Sequence, residues 1–352
     1  MRIEFAFIFL AFAFSVNVGG QTAALEKPGE KRLQNIRQLT FGGENAEAYF
    51  SFDGKKLIFQ SKRDGHGCDR LYTMNIDGSG LKQVSSGKGR VTCGYFHKNG
   101  KKIVYSSTKS GGDECPPTPD RSQGYLWPVY PTYEIYVANA DGTNVKALTN
   151  NNAYDAEATI SPDGKTIVFT STRDGDLDIY TMDINGKNVK RLTNEVGYNG
   201  GAFFSPDGKQ IVYRAYYPKN EAELKRYKDF LARDLIEPNI FEVWVMNADG
   251  SNKRQVTNLA AASFAPFFTP DGKAIIFSTD HFDVKTPGRR RQPNFDLALI
   301  NVDGTGLERI TFNETFDGFP MFSPDGKKLV FASNRNAATP GDTNVFIADW
   351  VK

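Results

Sequence analysis

Residues 154–193 read YDAEATISPDGKTIVFTSTRDGDLDIYTMDINGKNVKRLT. Runs rich in β-branched and aromatic residues alternate here with turn residues, which is the pattern of short strands joined by tight turns. The stretch predicts four strands, at Tyr154–Ile160, Lys165–Thr170, Ile179–Ile184 and Val189–Thr193. An Asp-Gly or Asn-Gly pair follows the first strand and the third. Each pair predicts a type I′ turn, because that turn needs positive φ angles.

This unit recurs along the chain. Its first turn occurs six times, beginning at Ser51, His97, Ser161, Ser205, Thr269 and Ser323. The shorter spacings are close to about 45 residues, the period of a four-stranded propeller blade. The second turn occurs only five times, and the last copy lacks a fourth strand. Residues 33–40, LQNIRQLT, look like that strand but precede the first copy, so we expect the N-terminal strand to close a ring.

The predicted fold is all-β: a six-bladed β-propeller of four-stranded antiparallel blades, in which the N-terminal strand completes the last blade. One propeller domain would span residues 33–352. Its blades are predicted at about 41–85, 86–149, 150–193, 194–257, 258–311 and 312–352 with 33–40.

Residues 1–22 differ in composition from the rest. Arg2 precedes an apolar run from Phe5 to Phe14, and small residues follow at Gly19 and Gly20. The run is shorter than the ~20 residues of a membrane-spanning helix, so it predicts a cleaved signal peptide. We therefore expect a soluble mature protein, either periplasmic or secreted. The net charge of +2 gives no reason to expect a nucleic-acid partner.

The three cysteines are Cys68, Cys93 and Cys115. In an oxidising compartment two of them should pair. Cys68 with Cys115 is preferred because this pair joins two loops, and Cys68 with Cys93 is the next choice. A metal site built from all three ranks lower, since no Cys-x-x-Cys occurs.

Three insertions lie between the second and third strands of their blades, at 108–132, 216–239 and 281–292. These loops all lie on one face of a propeller, here called the inserted face, and a site is expected there. The second insertion predicts a helix capped by Asn220 and Glu223, with an apolar stripe. The stripe comprises Leu224, Tyr227, Leu231 and Leu235. The third insertion contains three arginines at 289–291, a run that is most often a solvated loop.

Polar residues in the first strands could form an acidic mouth of the central channel. They stand six or four residues before the first turn: Asn45, Glu47, Asp155, Glu157, Asn199 and Asp317. Oxygen ligands suit Ca²⁺ or another divalent cation, for which Asp155, Glu157 and Asp317 are the candidates. The alternative is a water-filled channel that binds nothing specific. Around the same rim we expect Arg63, Arg173, Tyr125, Trp127, His281 and Arg335.

Four motifs of the third copy resemble the β-propeller repeat of the TolB family. They are the S-P-D-G-K turn at 161–165, S-T-R-D-G at 171–175, IYTMD at 179–183 and KRLT at 190–193. The resemblance covers residues 33–352 and implies a propeller. Blades of this family serve in periplasmic Tol translocation proteins, as gating domains of peptidases and in polysaccharide lyases. TolB itself carries an additional N-terminal α/β domain, which residues 22–32 are too short to form. The related lyases use a cluster of metal-binding histidines, and this sequence has three scattered ones.

The sequence contains neither G-x-S-x-G nor H-E-x-x-H, two motifs of catalytic sites. These observations favour an exported binding or scaffold module that takes a protein or peptide partner on the inserted face, with a Tol-like periplasmic role among its options. The alternative is a metal-assisted lyase or hydrolase that acts on a glycan at the channel mouth.

Overall fold

The computed structural model describes residues 25–120, 122, 124–238, 240–283 and 293–352. The predicted signal peptide at 1–22 and the three arginines at 289–291 lie outside these ranges. Within them the chain forms six four-stranded sheets, one small two-stranded sheet and one α-helix. The prediction of an all-β, six-bladed propeller is confirmed.

The strands follow the blades in chain order. The N-terminal strand is β1 (Leu33–Gln38), and blade one contains β2 (Glu44–Phe50), β3 (Lys56–Lys62), β4 (Arg70–Asn75) and β5 (Lys82–Gln83). Blade two contains β6 (Val91–Phe96), β7 (Lys102–Ser107), β9 (Glu134–Asn139) and β10 (Lys146–Ala147), with β8 (Trp127–Pro128) in its insertion. Blade three contains β11 (Asp155–Ile160), β12 (Thr166–Ser171), β13 (Asp178–Asp183) and β14 (Lys190–Arg191).

Blade four contains β15 (Tyr198–Phe204), β16 (Gln210–Tyr216), β18 (Glu242–Asn247) and β19 (Arg254–Gln255); its insertion holds α1 (Glu221–Leu231) and β17 (Leu235–Ile236). Blade five contains β20 (Ser263–Phe268), β21 (Ala274–Thr279), β22 (Asp296–Asn301) and β23 (Glu308–Arg309). Blade six contains β24 (Asp317–Phe322), β25 (Lys328–Ser333) and β26 (Asn344–Trp350).

The ring is closed by the N-terminal strand, as predicted. β1 pairs antiparallel with β26, with Leu33 opposite Trp350 and Gln38 opposite Phe346. The strand order of blade six is therefore β1-β26-β25-β24. Closure leaves no open edge between the last blade and the first, which is the usual solution to edge exposure in propellers.

Aromatic side chains fill the space between neighbouring blades. Each second strand carries one fully buried aromatic ring at the same position: Phe59, Tyr105, Phe169, Tyr213, Phe277 and Phe331. In several blades this ring stacks on an aromatic residue of the third strand, such as Phe169 on Tyr180 with centroids 5.7 Å apart. Burial of one large ring in each second strand accounts for part of the high aromatic content of the sequence.

The predicted type I′ turns are wrong. Gly54 has a φ of 69° and its N–H donates to the Ser51 carbonyl oxygen, whereas the central residues Phe52 and Asp53 do not have positive φ. The loop is therefore built on a type I turn followed by a left-handed glycine. The proline of Ser161-Pro162-Asp163-Gly164 requires this geometry, because proline holds φ near about −65°.

Every first strand contains a β-bulge, at which its register with the second strand shifts. One residue at each bulge has a positive φ, between 50° and 61°. These residues are Glu47, Cys93, Glu157, Gly201, Ala265 and Phe319, the set that stands four residues before the first turn. The bulges turn this set toward the channel axis.

The two long insertions are joined to each other and to blade one. β8 pairs with β17, and Cys68 forms a disulfide with Cys115, the pairing favoured from the sequence. The predicted helix is present: the Asn220 side chain accepts a hydrogen bond from the Glu223 N–H at 3.0 Å. The predicted stripe is partly wrong, because Leu235 lies in β17 and the helix buries Phe230 beside Tyr227.

Candidate functional site

A small cavity lies in the channel at the level of the bulges. All six bulge residues line it, together with Tyr49, Ala158, Thr159, Phe203 and Arg214. Its volume is about 30 Å³. A single water needs roughly 10–15 Å³ by this measure, so the cavity has room for one or two waters and not for a sugar or a peptide.

Aromatic rings close the channel on the side away from the insertions. The residues two positions before the first turns form this layer, and its rings are Tyr49, Tyr95, Phe203 and Phe267. Their centroids lie 5.3–6.3 Å apart, mostly edge to face. The propeller axis is therefore packed at this level and is not an open pore.

A buried ion pair borders the cavity. The guanidinium group of Arg214 contacts the Glu157 carboxylate and donates to the Tyr198 hydroxyl at 2.5 Å. Glu157 also accepts from Thr170 Oγ1 at 2.7 Å and from the Gly201 N–H at 2.8 Å. Burial opposes ionisation of Glu157, but Arg214 and these donors hold the pKa of its carboxyl below its ordinary value.

Glycine makes room for this pair. A Cβ at Gly201 would lie 2.0 Å from Arg214 Nη1, and a Cβ at Gly200 would lie 2.7 Å from Glu157 Oε2. Any larger residue at either position would displace the ion pair.

Glu47 faces the same cavity, but its carboxyl group ionises less readily than that of Glu157. Burial raises the pKa of its carboxyl to about 7; hydrogen bonding with the Cys93 thiol opposes the rise, and the Glu157 carboxylate adds to it. Its Oε2 and the Nε of Arg214 have no hydrogen-bond partner among the described residues. Burial also raises the pKa of the free Cys93 thiol. The cavity thus combines one ionised carboxylate with one that titrates near neutral pH.

The other four residues predicted at the channel mouth do not line the cavity: Asn45, Asp155, Asn199 and Asp317. Asp155 accepts from Arg173 Nη2 at 2.9 Å, and Asp317 accepts from Arg335 Nη2 at 2.8 Å. Asn45 donates to the Thr343 carbonyl oxygen of blade six at 2.9 Å.

Asn199 accepts from the Tyr217 hydroxyl at 2.6 Å. The structure therefore brings Glu47 and Glu157 together and uses Asn45, Asp155, Asn199 and Asp317 as fully buried structural partners. Within the described ranges, no three His, Cys, Asp or Glu side chains are placed to hold a metal ion, the candidates Asp155, Glu157 and Asp317 included.

The rim arginines are structural partners as well. Arg173 and Arg335 pair with the aspartates named above, and Arg63 stacks on Tyr72, with Cζ 5.6 Å from the ring centroid. Arg335 also contacts both carboxylate oxygens of the buried Glu30. His281 is exposed and lies beside Phe282.

Aromatic residues of the two long insertions and of the neighbouring parts of blades two to four cover the channel. We call this group the aromatic cover: Trp127, Tyr130, Tyr133, Tyr154, Tyr198, Tyr227 and Phe241. Arg214 lies between the cover and the cavity, with its Cζ 5.1 Å from the Trp127 ring. Tyr125 stands at the edge of the cover, 52% exposed.

A larger cleft lies beside the cover, between α1 and the strands of blade four. We call it the blade-four cleft; its volume is about 590 Å³. Its apolar lining includes Tyr216, Tyr217, Phe230, Ile240 and Trp244, and its polar edge includes Lys219, Glu223, Arg226, Glu237 and Gln255. Ligand pockets are typically roughly 300–1,000 Å³ and mainly apolar with a few polar groups, so this cleft has the size and composition of a binding site.

Sequence reasoning missed both Arg214 and this cleft. Arg214 stands inside an otherwise apolar strand, and an arginine interrupting such a strand is the signal that could have identified it. The cleft depends on the way α1 folds back over blade four, for which the sequence offers no comparable signal. No helix in the described part of the chain is long and apolar enough to cross a membrane.

Comparison with known proteins agrees with this architecture. Residues 131–228 match the family model of the TolB β-propeller domain. An uncharacterized protein of Agrobacterium fabrum is 30% identical over 98 residues, which cover 28% of this chain and 30% of that protein. The chain thus covers less than a third of the length of this curated relative.

Two solved structures show the same fold at low identity. TolB from Acinetobacter baumannii has a TM-score of 0.54 and 18% identity, over 88% of this chain and 64% of that one. An oligogalacturonate lyase from Vibrio parahaemolyticus has a TM-score of 0.53 and 14% identity, over 89% of this chain and 93% of that one. With six four-stranded blades and the closing N-terminal strand, the chain is a six-bladed β-propeller, and its residues 131–228 match the TolB β-propeller domain.

Proposed function

We propose that this propeller is an exported binding module that takes a protein or peptide partner on its inserted face, with the blade-four cleft as the main contact. The observation that carries the proposal is the cleft itself, which has a volume of about 590 Å³ and a mainly apolar lining. Its location in the periplasm or outside the cell belongs to the same proposal and is supported by the signal-like sequence at 1–22.

The cleft has the features of a peptide-anchoring surface. Tyr217 and Trp244 meet at an interplanar angle of 88°, with ring centroids 5.1 Å apart, and form a rigid aromatic corner. Ile240 stands beside it with 44% of its side chain exposed. Aromatic anchors in a desolvated pocket, ringed by polar groups, supply most of the binding energy at protein interfaces.

The supporting shell is stiff, which limits the entropy lost on binding. Arg226 forms a bidentate ion pair with Glu237 at the cleft edge, and its Cζ lies 4.8 Å from the Phe230 ring centroid. Asn220 caps α1 by accepting from the Glu223 N–H, and the Glu223 carboxylate accepts from the Tyr216 hydroxyl at 3.2 Å. These contacts fix α1 against blade four before any partner arrives.

The alternative of a glycan-cleaving enzyme at the channel has less support. It draws on the shared fold with oligogalacturonate lyase, at 14% identity. The channel cavity of about 30 Å³ is too small to admit a sugar residue.

Selection of peptides from a displayed library on the immobilised protein tests the proposal. The substitution Ile240→Glu places a charge in the cleft; its matched control is Val189→Glu, at a side chain that is 42% exposed on the opposite face. Selected peptides should lose at least about tenfold in affinity for Ile240→Glu and bind Val189→Glu like the parent protein. Equal affinity for all three proteins would contradict the proposal.

A further inference from the structure

The face opposite the insertions carries the first turns of all six blades. The loops at 51–56, 97–102, 161–166, 205–210, 269–274 and 323–328 contain ten lysines and five aspartates, a net charge of +5. The whole chain has a net charge of +2, so the residues outside these six loops have a net charge of −3. We call these ten residues the lysine ring: Lys55, Lys56, Lys98, Lys101, Lys102, Lys165, Lys209, Lys273, Lys327 and Lys328.

The six turns form one nearly continuous surface around the propeller axis. A Cβ placed on Gly208 would lie 3.7 Å from Pro162, and one on Gly54 would lie 3.4 Å from Pro324. A Cβ placed on Gly164 would lie 2.8 Å from Cβ of Lys98 in the preceding blade. Neighbouring turns therefore lie against each other, and each turn carries at least one lysine.

Most of these lysines are available to a partner. Within the described ranges, no ion pair involves Lys55, Lys56, Lys98, Lys101, Lys102, Lys165 or Lys273. The turn aspartates are engaged locally: Asp163 accepts from Ser161 Oγ at 2.6 Å and from the Lys165 N–H at 3.0 Å. The turn aspartates thus bond mainly within their own turns, and of the described ring lysines only Lys209 and Lys327 have an ammonium group within 4.0 Å of one of them.

Two isolated apolar side chains stand among the charges. Leu81 and Val189 belong to the second turns of blades one and three, on the same face, and are 47% and 42% exposed. A basic surface with a few exposed apolar side chains suits the interface of an anionic bilayer, where lysines meet the headgroups and apolar groups reach the acyl boundary.

We propose that the lysine ring docks this propeller on the surface of an anionic phospholipid membrane. The inserted face then points away from the bilayer and stays open to its partner. This second surface is independent of the blade-four cleft and does not rest on the function proposed for it.

Cosedimentation of the whole mature protein with vesicles tests the proposal. One set of vesicles contains phosphatidylglycerol and phosphatidylcholine, and the other contains phosphatidylcholine alone. The double variant Lys98→Glu with Lys165→Glu reverses two charges in adjacent turns of the ring. The matched control is Lys225→Glu with Lys228→Glu, which reverses two exposed charges on α1. Thermal unfolding checks that both variants are folded.

We expect the parent protein to sediment with the anionic vesicles only, and to be released as salt is raised. The ring variant should partition at least about tenfold less, and the α1 variant should behave like the parent. No sedimentation of the parent, or an equal loss in both variants, would overturn the proposal. Soluble polygalacturonate is added as a competitor; if it displaces the protein at low concentration, the ring recognises polyanions generally and the membrane assignment is wrong.

Discussion

Thr40 Oγ1 accepts a hydrogen bond from the Val345 N–H at 2.9 Å, although 305 residues separate them. Equivalent bonds join Thr149 to the Ile135 N–H and Thr193 to the Ile179 N–H within single blades. The closing strand therefore repeats the same contact as the ordinary fourth strands. Ring closure is built from the same repeat unit as the rest of the propeller.

Thr40→Val should destabilise the whole protein by about 1–3 kcal/mol, because it leaves the buried Val345 N–H without its side-chain acceptor and removes one of two donors to Asn344 Oδ1. Thr193→Val is the matched control inside one blade. Thermal unfolding should give one cooperative transition for both variants, with similar losses. A separate early transition in Thr40→Val, or no loss, would contradict closure by the N-terminal strand.

Arg335→Met should cost about 3–5 kcal/mol of unfolding free energy, since it leaves Glu30 and Asp317 buried without their cation. Lys327→Met is the control: Lys327 is 81% exposed and lies 4.0 Å from Asp325, so its loss should be within about 0.5 kcal/mol. Chemical denaturation measures both. Comparable small losses would show that the Glu30–Arg335–Asp317 cluster does not hold the N-terminal segment.

Glu47 should make stability depend on pH in a defined window. Its folded pKa of about 7 lies above the ordinary value of 4.5, so the folded state binds the proton more tightly than the unfolded state. This contribution is fully present below pH 4.5 and is lost as the pH rises to about 7, by roughly 3 kcal/mol in all.

Glu47→Gln should remove that dependence, and Glu44→Gln, at an exposed residue on the same strand, should keep it. Melting temperatures measured between pH 4 and pH 8 distinguish the two variants. An unchanged pH profile for Glu47→Gln would mean that Glu47 does not titrate in this window.

The disulfide should anchor the blade-two insertion. It closes a loop of 47 residues, for which loss of the bond costs about 2–4 kcal/mol. Cys68→Ser with Cys115→Ser should therefore melt lower and become insensitive to reductant. Cys93→Ser keeps the bond, so its melting temperature should still drop when reductant is added. Reductant sensitivity in the double serine variant would refute this assignment.

Much of the fold could be predicted because each repeat contains turn residues that mark the ends of its strands. The six first turns, three of which read Ser-Pro-Asp-Gly, indicated the number of blades, and the displaced strand at 33–40 indicated closure. The turn type could not be read from Asp-Gly alone. Pro162 excludes a positive φ at the position where a type I′ turn requires one.

The candidate site was harder to predict because the first strands are irregular at the residues that form it. Residues two apart normally share a strand face, so the sequence predicted that Asp155 and Glu157 both face the channel. A bulge between Ala156 and Thr159 breaks that alternation, so Glu157 enters the cavity while Asp155 turns to Arg173. Bulges of this kind leave no clear mark in a single sequence.

Hydrogen–deuterium exchange of the protein with and without a selected peptide tests the central claim most directly. The account predicts slower exchange in residues 216–219 and 240–244, which border the blade-four cleft, with little change in the first turns of the opposite face. Protection confined to that opposite face, or to the first strands of the channel, would contradict it.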